Sequence, residues 1–318
     1  MDSLKNMKLI KPSFEIIEQK PRDTVIPADM EIGPRMWKDE LINSVYRQIE
    51  IAGRTCYKSE DKITETSAKE FVDRMVKSGH GAMLEHGTVY LKVPNSVVDE
   101  GFQFGTNWST LCLNPYTRYI SDGDYYYYTT NYRVIIEHDL QGVLEYLCEP
   151  TEYHEKRITV KFVCDRGVSH EFVRHRVFSF AQESTRYCNY SKAKFGKELN
   201  CIIPCWYKNM FEGNSYNIEL CHTYDLTISE GLSRTEAAWI QAMCEAESTY
   251  FGLLTEDEPA QQARNVLPLA LKTELIMTGT VEQWKGFFKL RDAGSAHPQA
   301  YELAHPLHEE FIKRGWIK

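Results

Sequence analysis

Arg157-Ile158-Thr159-Val160-Lys161-Phe162-Val163-Cys164 puts Ile158, Val160 and Phe162 on one face of an extended chain. A period of two is the mark of a strand. Gly167 breaks the pattern, and a short helix starting at Ser169 or His170 is expected to carry Arg174-His175-Arg176. Toward the N-terminus, residues 87–93 alternate Val89, Leu91 and Val93 against Thr88, Tyr90 and Lys92, which predicts a half-buried strand. The apolar patch 14–17 predicts another. Leu41, Val45 and Ile49 recur at helical spacing over 36–51, with Gly53 as the expected stop. Ser67 and Glu70 read as a capping box before Phe71, Val72, Met75 and Val76, and Gly79 ends that helix.

Toward the C-terminus a long helix is expected over 235–253. Pro259 suits a first helical turn, continued by 260–266. Thr280 and Gln283 form a second capping box, opening a helix through Trp284, Phe287 and Phe288 to Leu290; Pro298 opens the last helix. Strands lie mostly in the first two thirds and helices in the last third, an α+β arrangement. In the stretch 94–153, Tyr125 to Tyr128 read as a strand with rings on both faces, in preference to a base-stacking site, and 140–147 as a helix.

The 318 residues can bury a sizeable core as one domain, 1–318. No run approaches the roughly 18 apolar residues of a membrane span, and Met1-Asp2-Ser3-Leu4-Lys5 lacks an apolar leader, so a cytoplasmic location is expected. Nine cysteines, an odd number, point to reduced thiols. Cys201 and Cys205 have no second pair at their spacing, so no metal is expected. A net charge of −8 disfavours a nucleic-acid partner, and any anion site must be a local basic cluster.

Arg174-His175-Arg176, with Ser179, Gln182, Glu183, Ser184, Thr185 and Arg186, is that cluster. Guanidinium groups offer five donors in a fixed fork, and serine hydroxyls and backbone amides add neutral donors, which together suit a phosphate. Taken alone, the segment equally fits a solvated basic helix end. Arg291, at a helix C-terminus, fits a charge favoured by the helix dipole.

Arg-His-Arg, seven residues, then Ser, with Arg and Tyr following, resembles the signature of the flavin-dependent thymidylate synthases. Gly53-Arg54-Thr55-Cys56-Tyr57, Gly79-His80 with Glu85-His86, Ala263-Arg264 with Leu267-Pro268-Leu269, and Leu290-Arg291 before His297 match in the same order. The resemblance covers roughly 35–310, with a gap in the middle.

The resemblance implies a central antiparallel sheet with packed helices and a helical C-terminal part. It implies conversion of dUMP to dTMP with methylenetetrahydrofolate as carbon donor, NADPH as reductant and FAD as hydride carrier, in a homotetramer with active sites between subunits. By position, Glu171, Arg174, Gln182, Glu183, Ser184, Thr185, Arg186, Arg264 and Arg291 would meet dUMP. His80, Arg174, His175, Arg176, Gln182, Thr280, Glu282 and Gly286 would meet FAD. Arg291 would activate the uracil ring, and no cysteine would act as nucleophile.

Departures accompany the match. Glu171 stands where many members carry Gln, and a carboxylate there would repel a phosphate unless an arginine intervened. Gln182 stands where Glu is common, and Ala82 where Thr is. Thr280, Glu282 and Gly286 replace amide or basic side chains, and Gly286 can offer only backbone. The stretch between His86 and Arg174 is far longer than in compact members, which marks about 94–153 as an insertion between two core strands, on the sheet edge. Two other readings compete. His170, Glu171 and His175 could be metal ligands of a hydrolase, though their spacing does not suit one helix face. The basic segment with the four tyrosines could bind nucleic acid.

Overall fold

A computed structural model describes residues 6–21, 34–103 and 107–318. Among the described residues there are ten strands: β1 Met7–Ile10, β2 Ser13–Ile17, β3 Thr88–Pro94, β4 Arg118–Ser121, β5 Tyr125–Asn131, β6 Arg157–Asp165, β7 Ser179–Gln182, β8 Asn200–Ile202, β9 Ser215–Tyr216 and β10 Lys272–Thr280. They form three sheets, ordered β2-β6-β10-β7, β3-β5-β4 and β8-β1-β9. The first is antiparallel throughout and is the centre of the α+β fold.

The opening octapeptide is β6, and its period-two reading holds. Ile158, Val160 and Phe162 are buried against Trp284, Phe287 and Phe311 from the two helices Val281–Arg291 and Pro298–Lys313. Trp284 is fully buried, and its indole N–H donates to the Ile158 carbonyl at 3.1 Å, tying helix to strand. The opposite face of the sheet is covered as well. Ala52, Ile51 and Cys56 of the helix Pro34–Tyr57 pack there against Ala181 and Ile276.

That helix runs past Gly53, which does not stop it. A Cβ at Gly53 would lie 2.4 Å from Phe71 Cζ, so the missing side chain lets the helix Ser67–Lys77 approach closely. Ser67 is no cap either: its hydroxyl accepts from Thr64 N and donates to Glu50, and the N-cap position belongs to Thr66 without a side-chain bond. The box at Thr280 and Gln283 forms as expected, with both reciprocal bonds. Ser233 and Glu236 make a further box opening Arg234–Thr255.

Other elements depart from the sequence reading. The helix before the basic segment is Arg166–Phe172, capped by Asp165, and it ends before Arg174. Residues 140–147 form a 3-10 helix, Gln141–Tyr146. β10 was not anticipated in the C-terminal third. It is buried on both faces, so no amphipathic alternation marks it.

β3 is buried over most of both faces rather than half-buried. It pairs with β5 from Thr88↔Asn131 to Pro94↔Tyr125. The four tyrosines do lie on a strand with rings on both faces: Tyr128 enters the core with Leu91 and Val93, while Tyr127 on the other face donates to Asp122. The described residues of the segment 94–153 therefore complete a second sheet and core with β3 and the helix Ser67–Lys77, rather than extending an edge of the central sheet. Among the described residues no helix is long and apolar enough to cross a membrane.

Candidate functional site

β6 delivers the basic segment. After Arg166–Phe172 the chain turns, with Arg174 N on the Glu171 carbonyl at 3.4 Å and His175 N on the Phe172 carbonyl at 3.1 Å. Phe172 and Phe178 are buried on either side of the turn, which leaves Arg174, Arg176 and Val177 exposed between two apolar anchors.

The turn meets the end of Val281–Arg291. Arg291 Nε donates to His175 Nε2 at 3.1 Å, Nη2 donates to the Glu171 carbonyl at 2.9 Å, and Nη1 pairs with the Glu171 carboxylate. The arginine required beside Glu171 is thus Arg291. Burial and the Arg291 charge push the His175 imidazole down to about 4, so it is neutral near pH 7 and its Nε2 can accept. Its ring rests on Phe287, with centroids 5.0 Å apart.

β7 then leads into Glu183 and Ser184. Gln182 Nε2 donates to Ser169 Oγ at 2.8 Å and Thr273 Oγ1 at 3.2 Å. Glu183 is 2% exposed and accepts from Tyr190 Oη at 3.0 Å and Lys272 Nζ at 2.9 Å. Ser184 N donates to the Cys56 carbonyl at 3.1 Å, and Cys188 N closes the turn on the Ser184 carbonyl at 2.8 Å. Thr185 is buried; Arg186 is exposed with its guanidinium 5.3 Å from the Tyr187 ring centre.

Beneath this turn lies a cluster that the sequence reading missed. Glu274 of β10 meets Lys58 Nζ at 2.7 Å, Lys272 Nζ at 2.6 Å and Lys161 Nζ at 2.5 Å. Burial alone would raise the Glu274 carboxyl, but Lys272 and Lys58 outweigh it and hold the group far below the usual carboxylate range. Lys58 shows the complement: burial lowers it, and Glu274 more than restores it, so the amine stays a cation.

A cleft of about 210 Å³ opens on the other side of the basic turn, lined in part by Glu85, Arg118, Thr129, Arg157, Arg176 and Thr280. Thr280 places the start of Val281–Arg291 on its wall; the Thr280, Val281 and Gln283 amides are already bonded to Gln283 Oε1, the Lys156 carbonyl and Thr280 Oγ1, so what the helix offers an anion is its dipole. Arg157 is committed to structure through Nη2 to the Glu85 carbonyl at 3.0 Å and Nη1 to Thr88 Oγ1 at 3.2 Å. The Glu85 carboxylate pairs with Arg133 at 2.7 Å. His86 behind it is fully buried, bonded to Thr278 Oγ1 at 2.8 Å, and pushed down to about 3 by burial and Arg157, so it serves the fold as a neutral ring.

The expected cofactor residues do not all converge within one chain. Arg176 and Thr280 share the cleft, but His80 lines a separate open depression of about 780 Å³ with Arg54, Lys62, Arg74, Lys77 and Lys194. Glu282 is exposed and paired with Lys285 at 3.0 Å. Gly286 is exposed, with nothing within 4 Å of the place a Cβ would take. Arg264 is exposed at the start of the 3-10 turn Arg264–Val266, directly after Ala263, which packs with Cys188 and Tyr190.

The thiols nearest the Ser184 turn are poor nucleophiles. Burial pushes Cys56 up to about 11 and Cys188 up to about 12. Among the described residues no three or more His, Cys, Asp or Glu side chains are grouped as metal ligands.

The family model described as thymidylate synthase complementing protein matches residues 150–314, which contain the basic turn, Arg264 and Arg291. A flavin-dependent thymidylate synthase of Pyrococcus furiosus is 29% identical over 155 residues, 49% of this chain and 54% of its own length. One of Mycobacterium tuberculosis H37Rv is 26% identical over 143 residues, 44% of this chain and 50% of its own. The chain thus spans about half the length of the curated relatives it matches. With the model match extending over half of its residues, the chain belongs to the thymidylate synthase complementing protein family.

Proposed function

We propose that the chain, acting as one domain, is a flavin-dependent thymidylate synthase: it converts dUMP to dTMP with methylenetetrahydrofolate as carbon donor and NADPH as reductant. The observation that carries this reading is that Arg291, more than a hundred residues further along the chain, meets Glu171 and His175 beside the exposed Arg174. FAD, when bound, supplies the hydride.

On this reading Arg174, Ser184, Arg186 and Arg264 hold dUMP through its phosphate, with Gln182 and Thr185 beside them. Glu183 contributes from beneath, through Lys272 and Tyr190. Arg291 faces the uracil edge, and Glu171 and neutral His175 fix the plane of its guanidinium. A fixed cation there favours the N3-deprotonated ring; each unit by which it lowers that pKa is about 1.36 kcal/mol of differential interaction.

The cleft fits an anionic cofactor. Arg176 and the start of Val281–Arg291 face it, and the one carboxylate wall residue among the described residues, Glu85, is already neutralised by Arg133. His175 and the backbone around Glu282 and Gly286 would complete the FAD contacts. The separation of His80 from this cleft supports a site assembled from more than one subunit, as in a homotetramer.

Incubation with FAD followed by gel filtration tests the reading. Protein carrying the visible flavin spectrum is expected; colourless protein contradicts it. Cys56→Ala and Cys188→Ala should each keep dTMP formation within about threefold of the parent, because neither buried thiol is poised as a thiolate. Loss of turnover in either variant with FAD and dUMP still bound would establish a thiol mechanism instead.

A further inference from the structure

The face of the β3-β5-β4 sheet that looks toward the basic turn carries Arg118 and Thr129 directly opposite each other on β4 and β5. Both line the cleft that holds Arg176 and Thr280. Thr129 is 3% exposed, and its Oγ1 has no hydrogen-bonding partner. Buried hydroxyls are nearly always bonded, so an orphan on a cleft wall marks a place where a ligand atom belongs. Arg118 is held in place beside it: Nη1 donates to the Pro115 carbonyl at 3.0 Å and the Thr117 carbonyl at 3.1 Å, while Glu155 stands 3.8 Å from Nε. Its Nη2 donates to nothing among the described residues. Thr117 Oγ1, bonded to Thr130 Oγ1 at 2.9 Å, fixes the strand that presents it.

We propose that strands β4 and β5 supply the second wall of the cofactor site, with Arg118 and Thr129 holding a diphosphate across from Arg176 and the start of Val281–Arg291. The ligand class is a diphosphate-bearing dinucleotide, and this rests on the flavin reading above. Three features favour a diphosphate. A free guanidinium edge, an exposed second guanidinium and the dipole of a helix start converge on one cleft, and anions gain from each. Among the described residues, the only carboxylate on the lining, Glu85, is paired with Arg133. The unpartnered hydroxyl offers a neutral donor to a remaining phosphate oxygen.

Titration of the full chain with FAD, with inorganic diphosphate and with dUMP tests the assignment. Arg118→Ala should weaken both FAD and diphosphate binding roughly tenfold to a hundredfold, the cost of a lost charged hydrogen bond, and leave dUMP binding unchanged. Thr129→Val should weaken FAD binding severalfold while the free protein melts at the same or a higher temperature, because an unsatisfied buried hydroxyl is removed. That combination separates ligand binding from folding. If diphosphate binding depends on Arg118 but the parent takes up no FAD, the site stands and the flavin reading falls. The proposal is overturned if the parent binds neither probe, if both variants match the parent, or if Arg118→Ala weakens dUMP as much as FAD.

Discussion

Replacing Arg291 by alanine should lower kcat/KM for dUMP about 100- to 1000-fold, the usual loss when one preorganised charge-stabilising group is removed. The fold should survive. Arg291 lies at the last turn of Val281–Arg291 with its side chain 18% exposed, while the helix is anchored by Trp284, Phe287 and Phe288 further back. FAD uptake should persist as well, because the cleft lined by Arg176 and Thr280 lies on the other side of the turn. Arg291→Lys should recover only part of the loss. It keeps the charge but cannot form the three-way fork to Glu171 and His175. Steady-state kinetics decide this, and near-parental turnover in Arg291→Ala would remove the residue from the chemistry. A second readout is the His175 ring. Without the neighbouring cation its titration should move up toward the ordinary histidine range, which NMR can follow.

Glu274→Gln should destabilise the protein by about 3–5 kcal/mol, the cost of removing one partner from a buried charge cluster. Three ammonium groups converge on that carboxylate, and Glu183 shares only one of them. Glutamine keeps the shape and loses the charge, so Lys161 loses its paired carboxylate and Lys58 and Lys272 keep only Glu60 and Glu183. The pH dependence has a definite sign. The folded-state pKa of Glu274 is depressed, so its contribution is fully present above the unfolded value of about 4.3 and is lost as pH falls toward the folded one. Urea unfolding should therefore show a large gap between parent and variant at neutral pH that narrows below about pH 5. An equal gap at pH 7 and pH 3 would place the destabilisation in packing rather than charge.

How much of this was visible in the sequence follows from the range of each interaction. The box at Thr280 and Gln283 was legible because all its atoms lie within one turn. Ser67 and Glu70 have the same spacing, but the Ser67 hydroxyl is taken by Glu50 of another helix, which no local rule reports. Gly53 looked like a stop and is instead a contact point, since only the packing of Phe71 reveals why a side chain is excluded. β10 escaped notice because both faces are buried and its neighbours are the distant β6 and β7.

The site divides the same way. The residue types of the basic turn announced an anion, and the resemblance placed Arg291 with it. The lysines around Glu274 were not legible, because Lys58, Lys161 and Lys272 meet only after β6 and β10 pair and the helix Pro34–Tyr57 docks on them. Arg118 and Thr129 were hidden for the same reason: they become neighbours only across the β4–β5 ladder.

The most direct test of the account is dTMP formation by purified protein supplied with dUMP, methylenetetrahydrofolate and NADPH, with and without added FAD. Flavin-free protein should form product only when FAD is present, and Arg291→Ala should bind flavin yet form almost none. Product formed without any flavin, or none formed by protein that binds both FAD and dUMP, would contradict it.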